Sequence, residues 1–277
     1  MILGEAAPAL ARQFGSGLYY SCSLAETTRA SWAWVADTHI NADAGADYRG
    51  WRPAARLERI VREIAAAEPN GVLVNGDISW SVGSTADYLR FQSIVSPVLE
   101  SVPFVIGVGN HDRRDNMLAV LGNRKGPGPD WMAAVVHQPP FRFVQLDSQI
   151  DPQHVGGEIG DQQLEWLDQV LQAESTPRTI LFVHHPGEST SSGCRDFDLL
   201  AGIAERHRCV EAIVTAHDHA FALERVSRVH RIALPAAGFP FDPQIDCGWI
   251  EAQHSRDGLS LAFHGQGGTK SYRLAWR

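Results

Sequence analysis

The stretch "VPFVIGVGNHD", Val102 to Asp112, decides how this chain is read. It opens as an apolar run of strand length and closes on an amide, an imidazole and a carboxylate at three successive positions, Asn110, His111 and Asp112. A short, continuous apolar run bounded by glycine is the pattern of a buried strand. The same construction recurs along the chain. "SWAWVADTH" delivers Asp37 and His39, "GVLVNGD" delivers Asp77, "TILFVHHP" delivers His184 and His185, and "VEAIVTAHDH" delivers His217 and His219.

Between these runs lie amphipathic segments. "PAARLERIVREIAAAE" reads as a helix with Pro53 in its first turn, "ADYLRFQSIVSPVLE" has helical spacing, and "DNMLAVLG" is a short helix closed by Gly122. The resulting β-α-β-α-β order implies a largely parallel sheet with helices on both faces. "NRKGPGPD" is a turn-rich loop, and "WMAAVVHQPPFRFVQLDS" reads as a hairpin broken at Pro139-Pro140. "GDQQLEWLDQVLQAE" follows as a helix with Asp161 as its N-cap, and "DFDLLAGIAERH" as another. The closing third alternates polar and apolar residues between glycine and proline turns and reads as antiparallel strands. With neither an internal repeat nor a low-complexity linker, residues 1–277 are expected to form one domain, its motifs within 31–220 and a β-rich part over 221–277.

Composition limits the partners. A chain of 277 residues with 44% hydrophobic content can bury a sizeable core. Its 24 basic and 32 acidic residues give a formal charge of −8, and no run of lysine and arginine stands out, so neither a nucleic-acid polymer nor an anionic membrane is expected as partner. A phosphate remains possible where metal ions supply the local positive charge. The four cysteines, Cys22, Cys194, Cys209 and Cys247, form no C-x-x-C pair and are expected to be idle thiols in a reducing compartment. No basic leader and no apolar run of membrane-spanning length is seen, which places the expected site of action in the cytoplasm.

In an open α/β sheet the carboxyl ends of the strands face one crevice. A lone histidine after an apolar run is more often a hydrogen-bonded structural residue than a ligand. Five strand ends that all finish in oxygen or imidazole donors need a joint explanation, and a metal site provides one. Imidazoles mixed with carboxylates and an amide, without a thiolate, suit Mn, Fe, Zn or Ni. The donors are too many for one tetrahedral ion, so two ions sharing a carboxylate is the economical arrangement.

The ordered blocks D-x-H, G-D, G-N-H-D, H and H-x-H, from Asp37 to His219, resemble the calcineurin-like metallophosphoesterase superfamily, and "D-x-H" with "H-H-P" is most similar to its bacterial cyclic-nucleotide phosphodiesterase branch. The resemblance implies a four-layered αββα sandwich, two mixed sheets flanked by helices. It implies that Asp37, His39 and His219 hold one metal, Asn110, His184 and His217 the other, and Asp77 bridges them. His111 would meet the substrate beside Asn110, and Asp112 would orient His111. The implied activity is hydrolysis of phosphoesters, diesters including cyclic nucleotides first, by in-line attack of a metal-bound hydroxide, with Mn or Fe favoured as metals. A phosphomonoesterase is the alternative, and a non-catalytic scaffold a distant third. A homodimer is possible.

His184 rather than His185 aligns as ligand, leaving His185 a bystander. Ala216 stands where the family has glycine. Tyr48, Arg49 and Trp51 are read as solvated loop residues with a possible base or sugar contact, Arg113 and Arg114 either as substrate-charge partners or as pairs for nearby acids, and Trp80 as core. His137, His154, His207, His230, His254 and His264 are read as structural or exposed.

Overall fold

Trp32, Trp34, Leu73 and Val105 point to one side of their strands, while Ala33, Val35, Val72, Val74, Phe104 and Ile106 point to the other. Strands that are apolar on both faces must be covered on both. In the computed structural model, which describes residues 1–3, 10–122, 129–172, 177–187 and 192–276, one face meets helices and the other meets a second sheet.

In chain order the elements are β1 (Ile2–Leu3), β2 (Leu10–Phe14), β3 (Gly17–Ser23), β4 (Arg29–Val35), α1 (Pro53–Ala67), β5 (Gly71–Val74), α2 (Thr85–Leu99), β6 (Phe104–Ile106), α3 (Arg114–Val120), β7 (Met132–Gln138) and β8 (Phe141–Gln145). They continue as α4 (Asp161–Gln172), β9 (Arg178–Phe182), α5 (Phe197–Arg206), β10 (Val210–Thr215), β11 (Ala222–Val226), β12 (Val229–Ala233), β13 (Gly248–Ser255), β14 (Gly258–Gly265) and β15 (Gly268–Ala275). One seven-stranded sheet runs β1-β6-β5-β4-β13-β14-β15 and the other, of eight strands, β11-β12-β10-β9-β8-β7-β3-β2. Both are mixed: β4, β5 and β6 are parallel while β13 joins β4 antiparallel, and β8, β9, β10 and β12 are parallel while β7 joins β8 antiparallel.

Three apolar clusters define the layers. Helices α1, α2 and α3 cover the outer face of the first sheet, α4 and α5 cover that of the second, and the middle cluster, with Trp32, Trp34, Phe143, Phe182, Val214 and Ile250, lies between the sheets. The architecture is therefore the αββα sandwich that the family resemblance implies. The simpler reading of β-α-β-α-β, one sheet with helices on both faces, does not hold. An apolar strand face is satisfied equally by a helix or by a sheet, so the local pattern alone does not distinguish them.

Smaller differences have local causes. Strands β2 and β3 pair as a hairpin in a region that carries no motif, and β3 joins β7 in parallel. The closing third is not wholly antiparallel, because β12 pairs in parallel with β10 before the β13–β15 meander begins. Asp161 is the first residue of α4 rather than its cap. The Asn123–Gly128 part of the turn-rich loop and residues 173–174 of the α4 segment lie outside the described residues. All four cysteines are free.

One buried side chain sits against the grain of this core. His254, 0% exposed, lies between the sheets with ring centroids 4.9 Å from Phe143, 5.5 Å from Trp34 and 5.6 Å from Phe141. Neither of its nitrogens has a hydrogen-bond partner among the described residues. Burial pushes its pKa down to about 3 from the ordinary 6.5, so the folded chain holds it neutral while the unfolded chain binds a proton below 6.5. Stability from this site is complete above pH 6.5 and declines as the pH falls toward 3. Replacing His254→Leu removes two unsatisfied polar atoms, each costing about 1–3 kcal/mol when buried. The variant is expected to melt higher than the wild type, with the gap widening from pH 7 to pH 4.5 in parallel thermal scans; an equal or lower Tm at both pH values would contradict this account.

Candidate metal centre

The loops that follow β4, β5, β6, β9 and β10 converge at one end of the sandwich, and their backbones are bent to do so. Asp37, His39, Asp77, His217 and His219 all adopt left-handed conformations, with φ of 51°, 44°, 51°, 73° and 57°. Non-glycine residues rarely take this region, and clusters of them mark sites where the surrounding structure imposes strain for function. Two glycines make the approach possible. A Cβ on Gly109 would lie 2.2 Å from Asp77 Oδ1, and one on Gly76 would lie 2.6 Å from His184 Nδ1.

The side chains so delivered are buried: Asp37, His39, Asp77, Asn110, His184, His217 and His219 are each 8% exposed or less. Asp77 from the first sheet faces His184 from the second at 3.4 Å and His39 at 3.8 Å. Asp37 Oδ1 lies 3.6 Å from His219 Nε2 and 3.9 Å from His184 Nε2. Asn110 Oδ1 lies 3.0 Å from His217 Nδ1. Three overlapping groups, Asp37-His39-His219, Asp37-Asp77-His184 and His39-Asp77-His111, each hold their donor atoms within 4.8 Å of one another.

Hydrogen bonding shows which nitrogens face inward. The Nδ1 of His39 meets Trp80 O at 3.3 Å, that of His184 meets Asn75 O at 2.8 Å, and that of His219 meets Phe239 O at 2.6 Å. A carbonyl only accepts, so each Nδ1 carries the proton and each Nε2 presents a lone pair to the site. His39 Nε2 and His219 Nε2 then lie 3.0 Å apart, lone pair toward lone pair, an arrangement that favours a cation beside both. Asp37 Oδ1 and His184 Nε2 are buried without any hydrogen-bond partner. Without metal, burial pulls the His184 pKa down but Asp77 and Asp37 outweigh it and raise it, so the Nε2 lone pair draws a proton wherever no metal ion takes it. Burial raises Asp77 in turn, and His184 with His39 and His111 overrides it and keeps the carboxylate ionised. Orphaned oxygen and imidazole donors, without thiolate, fit a divalent metal cofactor.

One expectation needs revision. Asp112 does not reach the His111 ring. Its carboxylate accepts from the backbone N–H of Gly109, Ile78 and Ser79 at 3.0 to 3.1 Å and from the Tyr88 hydroxyl at 3.1 Å, so it clamps the loop of Asp77 to the loop of Asn110. His111 is oriented instead by Ser81 O, 3.0 Å from its Nδ1, and its backbone N–H donates to Asp77 Oδ1 at 2.8 Å. Of the two readings of Arg114, pairing with a nearby acid is the one found: it forks onto Asp147 at 2.7 and 2.9 Å, and Gln149, whose carbonyl it also binds, donates to Gly109 O and Asp112 O. Ala216 fits without difficulty, its methyl buried in the inter-sheet core.

A cavity of about 250 Å³ opens over the donors. His39, His111, His217 and His219 line its floor, and Tyr48, Trp80, Phe239 and Phe241 its walls. Tyr48 stacks on Phe239 at 4.1 Å, and the exposed Phe241 stacks on His219 at 3.9 Å and 11°. Trp80 and Tyr48 thus belong to the site rather than to core or solvated loop, and Phe239 and Phe241 enter it from a segment with no motif of its own. A larger cavity, about 390 Å³, at the opposite end of β4 beside Arg29 and Arg273 contains none of the clustered donors.

The family description of calcineurin-like phosphoesterases matches residues 32–221. A probable cyclic nucleotide phosphodiesterase of a Synechococcus species is 27% identical over 233 residues, covering 82% of this chain and 88% of that protein. A 3',5'-cyclic adenosine monophosphate phosphodiesterase of Vibrio vulnificus is 28% identical over 260 residues, covering 87% and 89%. Among solved structures, a dimetal phosphatase from Danio rerio superposes with a TM-score of 0.67 at 18% identity, over 90% of this chain and 99% of that one. The match takes in every strand-end block from Asp37 to His219, and the chain is thus a metal-dependent hydrolase of phosphoesters and belongs to the calcineurin-like phosphoesterase family.

Proposed function

We propose that the chain hydrolyses phosphodiesters of nucleoside type, cyclic nucleotides foremost, at a dinuclear centre in which Asp37, His39 and His219 hold one ion, Asn110, His184 and His217 the other, and Asp77 both. The observation that carries the substrate class is the cavity wall. Four aromatic side chains stand over the imidazole floor, a surface suited to a planar base. No lysine or arginine lines the cavity, which suits a diester with one negative charge better than a monoester with two. Both curated relatives described above carry cyclic-nucleotide names.

Two ions would supply Lewis acidity and an activated water. The chain's own groups do the rest. His111 keeps Nδ1 on Ser81 O, which leaves Nε2 to exchange a proton with the leaving oxygen. Asn110 holds its amide oxygen toward His217. Asp112 positions rather than reacts, tying the loops of Asp77 and Asn110 together. The donor set suits Mn, Fe, Zn or Ni, of which the family resemblance favours manganese or iron, and residues 1–277 act as one domain in the cytoplasm.

Three outcomes test this reading. Metal-loaded protein should turn over cyclic AMP and bis(p-nitrophenyl) phosphate well ahead of p-nitrophenyl phosphate, and His111→Ala should lose about 10²–10⁴-fold in kcat while keeping its metal content; a monoester preference would overturn the substrate class. Phe241→Ala removes a stacking surface worth about 1–3 kcal/mol, so KM for the cyclic nucleotide should rise roughly five- to hundredfold while a small dialkyl phosphate ester is little affected. Chelator-stripped protein should melt lower and recover on adding manganese, by about 4 kcal/mol at a thousandfold excess over Kd; a Tm indifferent to every first-row ion would remove the metal centre from the account.

A further inference from the structure

His185 follows a candidate ligand in the sequence and looks like its bystander, but its surroundings say otherwise. The residue is 0% exposed. Its Nδ1 lies 2.7 Å from Ser148 Oγ, and the same oxygen lies 3.3 Å from the backbone N–H of His185. A serine hydroxyl has one hydrogen to donate. If Nδ1 also donated to it, that hydrogen would be buried with no acceptor, since Ser148 is itself 0% exposed and its hydroxyl has no other partner among the described residues. The satisfied arrangement has Ser148 donating to Nδ1, which places the ring proton on Nε2.

This is the opposite tautomer to His39, His184 and His219, whose protons sit on Nδ1. His185 Nε2 has no hydrogen-bond partner among the described residues, and a donor atom of His185 lies within 4.8 Å of those of His184 and His217. Gly157 packs against the ring, where a Cβ would lie 2.5 Å from it. A buried N–H that cannot bind a metal and has no protein acceptor calls for an anionic oxygen.

We propose that His185 Nε2–H donates a hydrogen bond to a non-bridging oxygen of the phosphoester, and afterwards of the phosphate product, at the His184–His217 side of the centre. His111 belongs to the group of His39 and Asp77, so the two histidines would grip the phosphoryl group from different donor groups. The inference rests on the phosphoester reading of the site.

The test uses full-length, manganese-loaded protein and inorganic phosphate as probe. Wild type, His185→Phe, His185→Gln and Ser148→Ala are compared for metal content by plasma mass spectrometry, phosphate affinity by calorimetry, and KM and kcat on bis(p-nitrophenyl) phosphate. His185→Phe should keep the wild-type metal content and bind phosphate about tenfold or more weakly, and His185→Gln, which retains an N–H donor, should recover part of the loss. Should His185→Phe fail to fold, Ser148→Ala carries the test, with weaker phosphate binding at unchanged metal content. A loss of metal in His185→Phe would make His185 a ligand and overturn the proposal, as would full metal with phosphate affinity within twofold of wild type. Wild type that takes up metal but binds neither phosphate nor diester would instead overturn the phosphoester reading itself.

Discussion

A carboxylate of one sheet facing an imidazole of the other, Asp77 and His184 at 3.4 Å, is the contact on which the rest of the site depends. Each is buried, and each alone would be costly to ionise there. Together, and with Asp37, His39 and His219 around them, they form a charge cluster suited to a cation, since among the described residues Asp37 Oδ1 and His184 Nε2 have no hydrogen-bond partner. The two sheets are held face to face by an apolar interior, and it is at the end of that interior that the donors meet. The sandwich thereby does for the site what no single sheet would: it brings Asp77 and Asn110 against His184 and His217 across a layer boundary.

Holding buried donors in place requires strain and support. Five of the donors sit at left-handed backbone positions, and the loops that carry them are tied by groups that do not line the cavity. Asp112 gathers backbone N–H groups of two loops, Tyr88 buttresses Asp112, and Arg114 with Asp147 and Gln149 fixes the loop of Asn110 from behind. The arrangement follows the general expectation that a reactive constellation is positioned by hydrogen bonds one layer out. Asp112 is more use there than on His111, because displacing the Asp77 loop would disturb a carboxylate that two of the donor groups share.

Above the donors the chemistry changes from ionic to aromatic. Phe241 lies flat on His219 and Tyr48 on Phe239, so the cavity pairs a polar floor with apolar walls. The proposed substrate, a phosphodiester that carries a planar base, would use both. The walls come from the long loop after β4 and from the segment between β12 and β13, two stretches outside the ligand motifs, which is where specificity within a shared catalytic scaffold is free to vary.

What the sequence alone determined was which donors the fold gathers. Asp37, His39, Asp77, Asn110, His184, His217 and His219 were legible, together with His111, Asp112 and His185, because each closes an apolar run or follows one within a few residues, and strand ends in an α/β fold share a crevice whatever their separation along the chain; the family resemblance alone separated the first seven as expected ligands. The helices α1, α2 and α5 were legible for the same kind of reason, a local apolar period. The tertiary structure decided the rest. Which face of β4 meets a helix and which meets a sheet depends on partners far along the chain; so do the partner of Asp112, the tautomer of His185 set by Ser148, and the entry of Phe239 and Phe241 into the cavity. Periodicity reports how a residue relates to its neighbours in sequence, whereas hydrogen bonds and stacking between distant segments exist only once the sheets have packed and brought those segments within a few ångströms.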